Sequence, residues 1–189
     1  MADAGRVIAG SARGLRLDGP GAATRPLGDR VKQTLFAILE PDLPDARFLD
    51  LFAGSGAAGI EALSRGAAHA TLVERNPAAA RVIAGNLARA RLGERGSVVS
   101  ADVAAWLVRA GPEALARFDL VFIDPPYGEP DLLEATLAAL APHLLPGSRV
   151  VAKHFWGDRP PATFGLLASE RERRFGETAL TFYRRLEDR

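Results

Sequence analysis

The chain contains no cysteine, which excludes disulfide staples and thiolate metal sites. Histidine is nearly as scarce: His69, His143 and His154 are scattered without ligand spacing, so no metal is expected. No apolar run approaches the length of a membrane span, and the N-terminal residues lack the basic and apolar regions of a secretory signal. A cytoplasmic protein is expected. Neither sign of charge dominates, with 24 Lys and Arg against 23 Asp and Glu, so net charge alone does not advertise a nucleic-acid partner. What remains is a chain of 189 residues, 48% hydrophobic, enough for one sizeable core and no second domain of similar size.

The stretch that carries most chemistry is Asp124-Pro125-Pro126-Tyr127, which follows the apolar run 118–123. An exocyclic base amine is a poor nucleophile because its lone pair is delocalised into the ring, and its two N–H donors must be oriented before the nitrogen can attack a methyl group. The Asp124 carboxylate and the Pro125 carbonyl can each accept one N–H, while Tyr127 offers a face on which the base stacks. Pro125 and Pro126 fix φ and remove two backbone donors, which stiffens the loop and leaves its carbonyls free. Taken alone, the tetrapeptide has a second, less favoured reading as a strand-ending turn in which Asp124 satisfies nearby amides.

A second motif sharpens the reading. The strand-like Phe48-Leu49-Asp50-Leu51-Phe52 runs into Ala53-Gly54-Ser55-Gly56-Ala57-Ala58-Gly59, a cofactor-type loop opening a helix. Gly54 and Gly56 permit positive φ and close approach to a ligand, and Gly59 lets the helix pack tightly on the sheet. Glu74 ends the next strand 20 residues after Gly54, where an acid receives ribose hydroxyls in nucleotide-binding folds, and Arg75 follows it. Asn76 and Pro77 already supply an N-cap and a first helical residue, which frees Glu74 from capping. Asp50 lies just before the turn, where it suits an ammonium better than a pyrophosphate. S-adenosylmethionine fits this set, with its ammonium near Asp50, its ribose at Glu74 and its adenine amine at Asp102. Asp102 is also a plausible N-cap for the helix after it, and both roles can coexist. Phe52, Ala53, Gly54, Gly56, Arg75 and Asp124 complete the expected cofactor lining.

The rest of the chain alternates strands and helices. Arg6 to Gly10 and Leu15 to Leu17 read as a hairpin, followed by a Gly/Pro-rich linker to Gly28. Val31, Leu35, Ile38 and Leu39 form one helical face capped by Asp29, with Arg30 and Lys32 pointing away. Strands at 46–51, 70–74, 97–101, 118–123 and 148–153 alternate with helices through Ile60 and Leu63, at 77 to about 91, at 103–116 and at 130–141. Strands at 163–174 and 178–184 close the series as a hairpin. An α/β fold follows: a mainly parallel seven-stranded sheet of the Rossmann-like methyltransferase type, helices on both faces, and an N-terminal β-hairpin extension. Residues 1–28 form the extension and 29–189 the catalytic domain. Basic residues gather at both ends, and Arg6, Arg13, Arg16, Arg25, Arg30 and Lys32 are the expected RNA-binding set. The tail adds Arg171, Arg173, Arg174, Arg184, Arg185 and Arg189. If the strands of the glycine loop and of Asp124 are neighbours where strand order reverses, donor methyl and acceptor amine share one crevice.

Nearly the whole chain resembles the RsmD family of small-subunit ribosomal RNA guanine-N2 methyltransferases. The resemblance rests on Arg6-Val7-Ile8-Ala9-Gly10 with Arg13-Gly14, on Arg25-Pro26 with Asp29-Arg30-Val31-Lys32-Gln33-Thr34-Leu35-Phe36, on Leu49 to Gly56, on Gly59 with Glu61-Ala62-Leu63-Ser64-Arg65-Gly66, and on Asp124 to Tyr127. It implies methylation of a guanine N2 amine in an assembling small subunit; a monomer is expected. Asp124, Pro125, Pro126 and Tyr127 are then catalytic, and Asp50, Gly54, Glu74 and Asp102 line S-adenosylmethionine. Two departures stand out: Leu27-Gly28 replaces a residue pair that tends to begin with Thr, and Lys153-His154 stands where many relatives have an acid after the fifth strand. Lys153 reads as an RNA-phosphate contact or as a snorkelling lysine. Other readings are amino methylation of adenine in DNA or of glutamine in protein, a noncatalytic RNA-binding assembly protein, and, last, nicotinamide-dependent oxidoreduction.

Overall fold

The computed structural model describes residues 2–21 and 27–188. Its sheet places alternate residues of each central strand on opposite faces, as a period of two requires. Phe48, Leu72, Leu120, Phe122 and Val151 point into one core, and Leu49, Leu51, Val73, Val121, Ile123 and Val150 into the other. The strands are β3 (Arg47–Leu51), β4 (His69–Glu74), β5 (Gly96–Ser100), β6 (Leu120–Ile123) and β7 (Arg149–Phe155), preceded by the separate pair β1 (Ala2–Arg6) and β2 (Arg16–Gly19). β8 (Thr163–Phe164), β9 (Leu167–Phe175) and β10 (Thr178–Arg185) complete an eight-stranded sheet of order β5-β4-β3-β6-β7-β10-β9-β8. β3 through β7 are parallel, and β10, β9 and β8 are antiparallel.

Among the described residues, five α-helices cover the two faces: α1 (Asp29–Leu39), α2 (Ala57–Ser64), α3 (Pro77–Arg89), α4 (Val103–Leu115) and α5 (Pro130–Leu140). Leu35, Phe36 and Leu39 of α1, Ile60 and Leu63 of α2, and Ile83 and Leu87 of α3 fill the first core. Trp106, Leu107 and Leu115 of α4 and Leu133, Leu137 and Leu140 of α5 fill the second. Each fully buried large apolar side chain contributes about 1.5–3 kcal/mol, so the two cores carry the fold. None of these helices is long and apolar enough to cross a membrane.

The expected Rossmann-like α/β architecture is present, with four differences. The segment expected as one strand at 163–174 is broken by Gly165 at φ 58°, giving eight strands where seven were expected. The helix expected at 103–116 is interrupted at Gly111, φ 70° and ψ 173°, where Pro112 removes a backbone donor. Asp29 is the first residue of α1 and does not cap it. Gly28 is the N-cap, and the Asp29 carboxylate instead meets Arg6 at 3.2 Å and Lys32 at 3.7 Å. Asn76 does cap α3, accepting from the Ala78 and Ala79 amides, with Pro77 behind it.

The fourth difference lies in the N-terminal hairpin, whose strands are shifted away from the turn relative to the expected 6–10 and 15–17, overlapping them only at Arg6 and at 16–17. Val7 and Leu15 still pair, but the residues between them are spent on α2. The Ile8 and Ala9 amides donate to the two carboxylate oxygens of fully buried Glu61, at 2.7 and 3.0 Å. Ser64 Oγ donates to the Ala9 carbonyl and accepts from the Ala12 amide, and Ser64 O accepts from the Ser11 amide. Arg65 holds Glu61 from the outside at 2.7 Å. Gly10 makes this approach possible: at φ 84°, a Cβ there would lie 1.8 Å from the Ser64 carbonyl oxygen. Gly10→Ala is therefore expected to cost roughly 3 kcal/mol or more and to lower the melting temperature by several degrees, measured by thermal denaturation. An unchanged melting temperature would mean that the loop sits free of α2.

Candidate functional site

β3 and β6 are hydrogen-bonded neighbours, with Asp50 opposite Phe122 and Leu51 opposite Ile123. Strand order reverses between them, since β4 and β5 follow β3 on one side while β7 follows β6 on the other. The glycine loop and the Asp124 motif thus leave adjacent strands at the same end and line one cleft of about 770 Å³.

Of the residues expected at the cofactor, Asp50, Phe52, Ala53, Gly54, Glu74, Arg75, Asp102 and Asp124 all line this cleft. Gly56 does not. It is the N-cap of α2 at φ 78°, and a Cβ there would press on Ile83, Leu72 and Ile60, so it supports the loop from beneath. Gly59 packs α2 on the sheet as expected, because a Cβ would lie 2.6 Å from Leu72. Phe52 itself has a positive φ of 63°, a strained conformation for an aromatic residue where the chain turns into the loop.

Each carboxylate in the cleft is held differently. Asp50 is 2% exposed, and one oxygen accepts from the Gly59 amide at 2.8 Å. Burial raises its pKa well above the usual carboxylate range, against the Gly59 bond and with help from nearby Asp124 and Glu74. Glu74 accepts from the Gly54 amide at 2.9 Å and the Asn76 amide at 2.8 Å, one on each oxygen, so it ties the glycine loop to the end of β4. Each oxygen keeps a lone-pair direction for a hydroxyl. Asp102 caps α4 through Oδ1, which accepts from the Ala105 amide at 3.1 Å, so the capping role and the cleft position coexist as expected.

Asp124 follows β6, and its Oδ1 accepts from Lys153 Nζ at 2.6 Å. Burial raises its pKa, and the lysine opposes that rise. Pro125, Pro126 and Tyr127 line the same cleft. The Tyr127 hydroxyl lies 2.6 Å from Thr178 Oγ1, which anchors the motif to β10. Lys153 Nζ also lies over the Tyr127 ring, 4.9 Å from its centroid. The expectation that Lys153 reaches outward is corrected: it is 8% exposed and turned into the site. His154 is absorbed in structure, bonded to Thr181 Oγ1 and the Phe155 carbonyl, with burial lowering its pKa.

The basic N-terminal set divides. Arg13 and Arg30 are exposed, and Arg6 and Arg16 are exposed but paired with Asp29 and Asp3. Such surface pairs contribute only about 0–1 kcal/mol, so they yield readily to a phosphate. Lys32 is corrected: α1 turns it inward, fully buried, where Nζ donates to the Arg6 carbonyl at 2.5 Å. Burial lowers its pKa, and Glu61 and Asp29 oppose this. Arg25 lies outside the described residues. Sequence reasoning missed Pro20, Gly21 and Leu27, which line the cleft from the linker. Only the small size of the first two hinted at close approach.

A family model described as "Conserved hypothetical protein 95" matches residues 5–184. YlbH of Bacillus subtilis, named as a candidate rRNA methyltransferase, is 36% identical over 183 residues, 95% of this chain and 98% of that protein. The chain belongs to the RsmD family. Ribosomal RNA small subunit methyltransferase D of Escherichia coli is 44% identical over 138 residues, covering 71% of this chain and 66% of that protein. Among solved structures, yhhF from Escherichia coli superposes with a TM-score of 0.86 at 35% identity, covering 96% of this chain and 97% of that one. An RNA methyltransferase from Salinibacter ruber, in complex with S-adenosyl-L-homocysteine, shares the fold at 17% identity and a TM-score of 0.66, over 86% of this chain and 95% of that one.

The state of Asp50 in this RsmD-family cleft is testable through stability. A carboxyl whose folded pKa is raised stabilises the fold fully below its unfolded pKa, about 4, and loses that contribution as pH rises through the folded value. Asp50→Asn keeps an oxygen for the Gly59 amide and removes the charge. Its melting temperature is expected to fall less than that of the parent as pH rises from about 4 to neutral. Parallel curves for the two proteins would contradict a raised Asp50.

Proposed function

We propose that this protein methylates the exocyclic N2 amine of a guanine in small-subunit ribosomal RNA, with S-adenosylmethionine as methyl donor. The observation that carries the proposal is the shared cleft, in which the glycine loop, Glu74 and Asp102 adjoin the Asp124-Pro125-Pro126-Tyr127 motif. The names of the Escherichia coli and Bacillus subtilis relatives and the S-adenosyl-L-homocysteine complex of the Salinibacter protein support it.

The donor set of the cleft fits the cofactor. Glu74 offers two oxygens to the ribose diol, Asp102 has a second carboxylate oxygen for the adenine amine, and Asp50 supplies a carboxyl to the amino-acid part. Bound there, S-adenosylmethionine supplies an electrophilic methyl group on a sulfonium centre. The remaining chemistry belongs to this chain. Among the described residues none donates a hydrogen bond to Asp124 Oδ2 or to the Pro125 carbonyl, and these two acceptors take the two N–H groups of the guanine amine. Accepting both donors turns the nitrogen lone pair out of conjugation and aims it, while Tyr127 stacks on the base. Asp124 is also the nearest acceptor for the proton that the amine gives up.

Residues 1–28 act as an RNA-contacting extension of the catalytic domain. Arg13 and Arg30 are its exposed cations, and Arg6, Arg16 and Arg25 join them on phosphate. The substrate is ribosomal RNA within an assembling small subunit, the enzyme acts as a monomer without a metal, and its setting is the cytoplasm. The finished set of cleft residues favours catalysis over a noncatalytic binding role.

Two variants separate these roles. Asp124→Ala is expected to lower methyl transfer by about 10³-fold or more while changing cofactor affinity little, read by single-turnover transfer and calorimetry. Arg13→Glu is expected to weaken RNA binding and reduce the salt slope by about 1, with cofactor affinity unaltered. Full turnover in the first, or an unchanged slope in the second, would overturn the corresponding assignment.

A further inference from the structure

Lys153 follows directly on a buried apolar run of β7, Val150, Val151 and Ala152. Its ammonium is drawn into the site and contacts both halves of the acceptor motif, Asp124 Oδ1 at 2.6 Å and the Tyr127 ring at 4.9 Å. An ammonium at a strand end gains nothing by burial unless a partner compensates its lost hydration. Here the partner is the one side-chain carboxylate in the acceptor motif.

We propose that Lys153 is a positioning residue for the acceptor amine: by holding Oδ1 of Asp124 as an anion in a fixed rotamer against Tyr127, it leaves Oδ2 and the Pro125 carbonyl as the two oriented acceptors. The assignment rests on the methyl-transfer function proposed above. Its physical basis is the charge environment of Asp124. From β3, buried Asp50 faces it, a carboxyl that burial itself pushes toward the protonated form. On the other side, Glu129, His154 and Asp158 line a small cavity that Asp124 shares with Lys153. Lys153 is the cation bonded to Asp124. Without it, burial favours a protonated Asp124, which presents an O–H donor to an amine that needs acceptors. The same contact restricts the carboxylate, because a free Asp124 could rotate either oxygen toward the substrate.

Lys153→Met keeps the aliphatic stem and removes the charge, and Lys153→Arg keeps the charge. The test combines ¹³C NMR titration of the Asp124 carboxyl carbon with pH profiles of kcat and KM for both variants and the parent. Loss of an opposite charge at contact distance is expected to raise the Asp124 midpoint by about 1–3 pH units in Lys153→Met, carrying the acidic limb of kcat with it. At neutral pH kcat is expected to fall about tenfold or more, with cofactor affinity within about threefold of the parent and most activity restored in Lys153→Arg. An unmoved Asp124 midpoint in folded Lys153→Met would overturn the proposal, as would a moved midpoint with kcat and its profile unchanged. Parent protein that binds cofactor but transfers no methyl to any RNA would instead defeat the proposed function, while the NMR titration would still decide whether Lys153 sets the state of Asp124.

Discussion

The parallel pairing of β3 with β6 is the constraint on which the site depends. Because Leu51 lies opposite Ile123, the next residues of both strands turn off the sheet together, one into the glycine loop and the other into Asp124. Strand order reverses at this pair, so helices peel away to opposite faces and leave a crevice that no side chain from either core fills. The two apolar cores fix the register of that pairing, since a slip of one residue would exchange every side chain between them.

Bringing the loops together also concentrates acids. Buried Asp50 and half-buried Glu74 and Asp124 converge on one cleft, and the fold answers each with a different donor. Asp50 receives the Gly59 amide of α2, Glu74 receives the Gly54 and Asn76 amides, and Asp124 receives an ammonium. Fixed backbone amides orient a carboxyl without adding a full charge, which suits a cofactor cradle. A cation does more, because it also holds the acid in the ionised form that accepts hydrogen bonds. The chemistry at the two halves of the cleft therefore follows from the kind of donor each acid meets.

Much of this was legible in the sequence because it is written in local terms. The alternation of apolar strands and helical faces, the Asn76-Pro77 cap and the strand-end positions of Asp50, Glu74, Asp102 and Asp124 each depend on a few neighbouring residues. What escaped depends on contacts distant in the chain. Lys32 looks like a solvent-facing helix residue until Arg6 and Asp29 are placed around it, and Lys153 looks like a surface contact until β7 is laid beside β6. The hairpin strands were displaced because Glu61 and Ser64, more than 50 residues away, take the donors that a longer ladder would have used. Membership of the RsmD family was readable from the arginine-bearing hairpin and the helix 29–36, whereas the inward lysine departs from the pattern and only the fold explains it.

The central claim is that one cleft joins a methyl donor to a guanine amine of the small subunit. Its most direct test is transfer from methyl-labelled S-adenosylmethionine to small ribosomal subunits from a strain lacking this gene, followed by nucleoside analysis of the digested RNA. Label in N2-methylguanosine is the predicted result. Label confined to another nucleoside, or none despite tight cofactor binding, would contradict it.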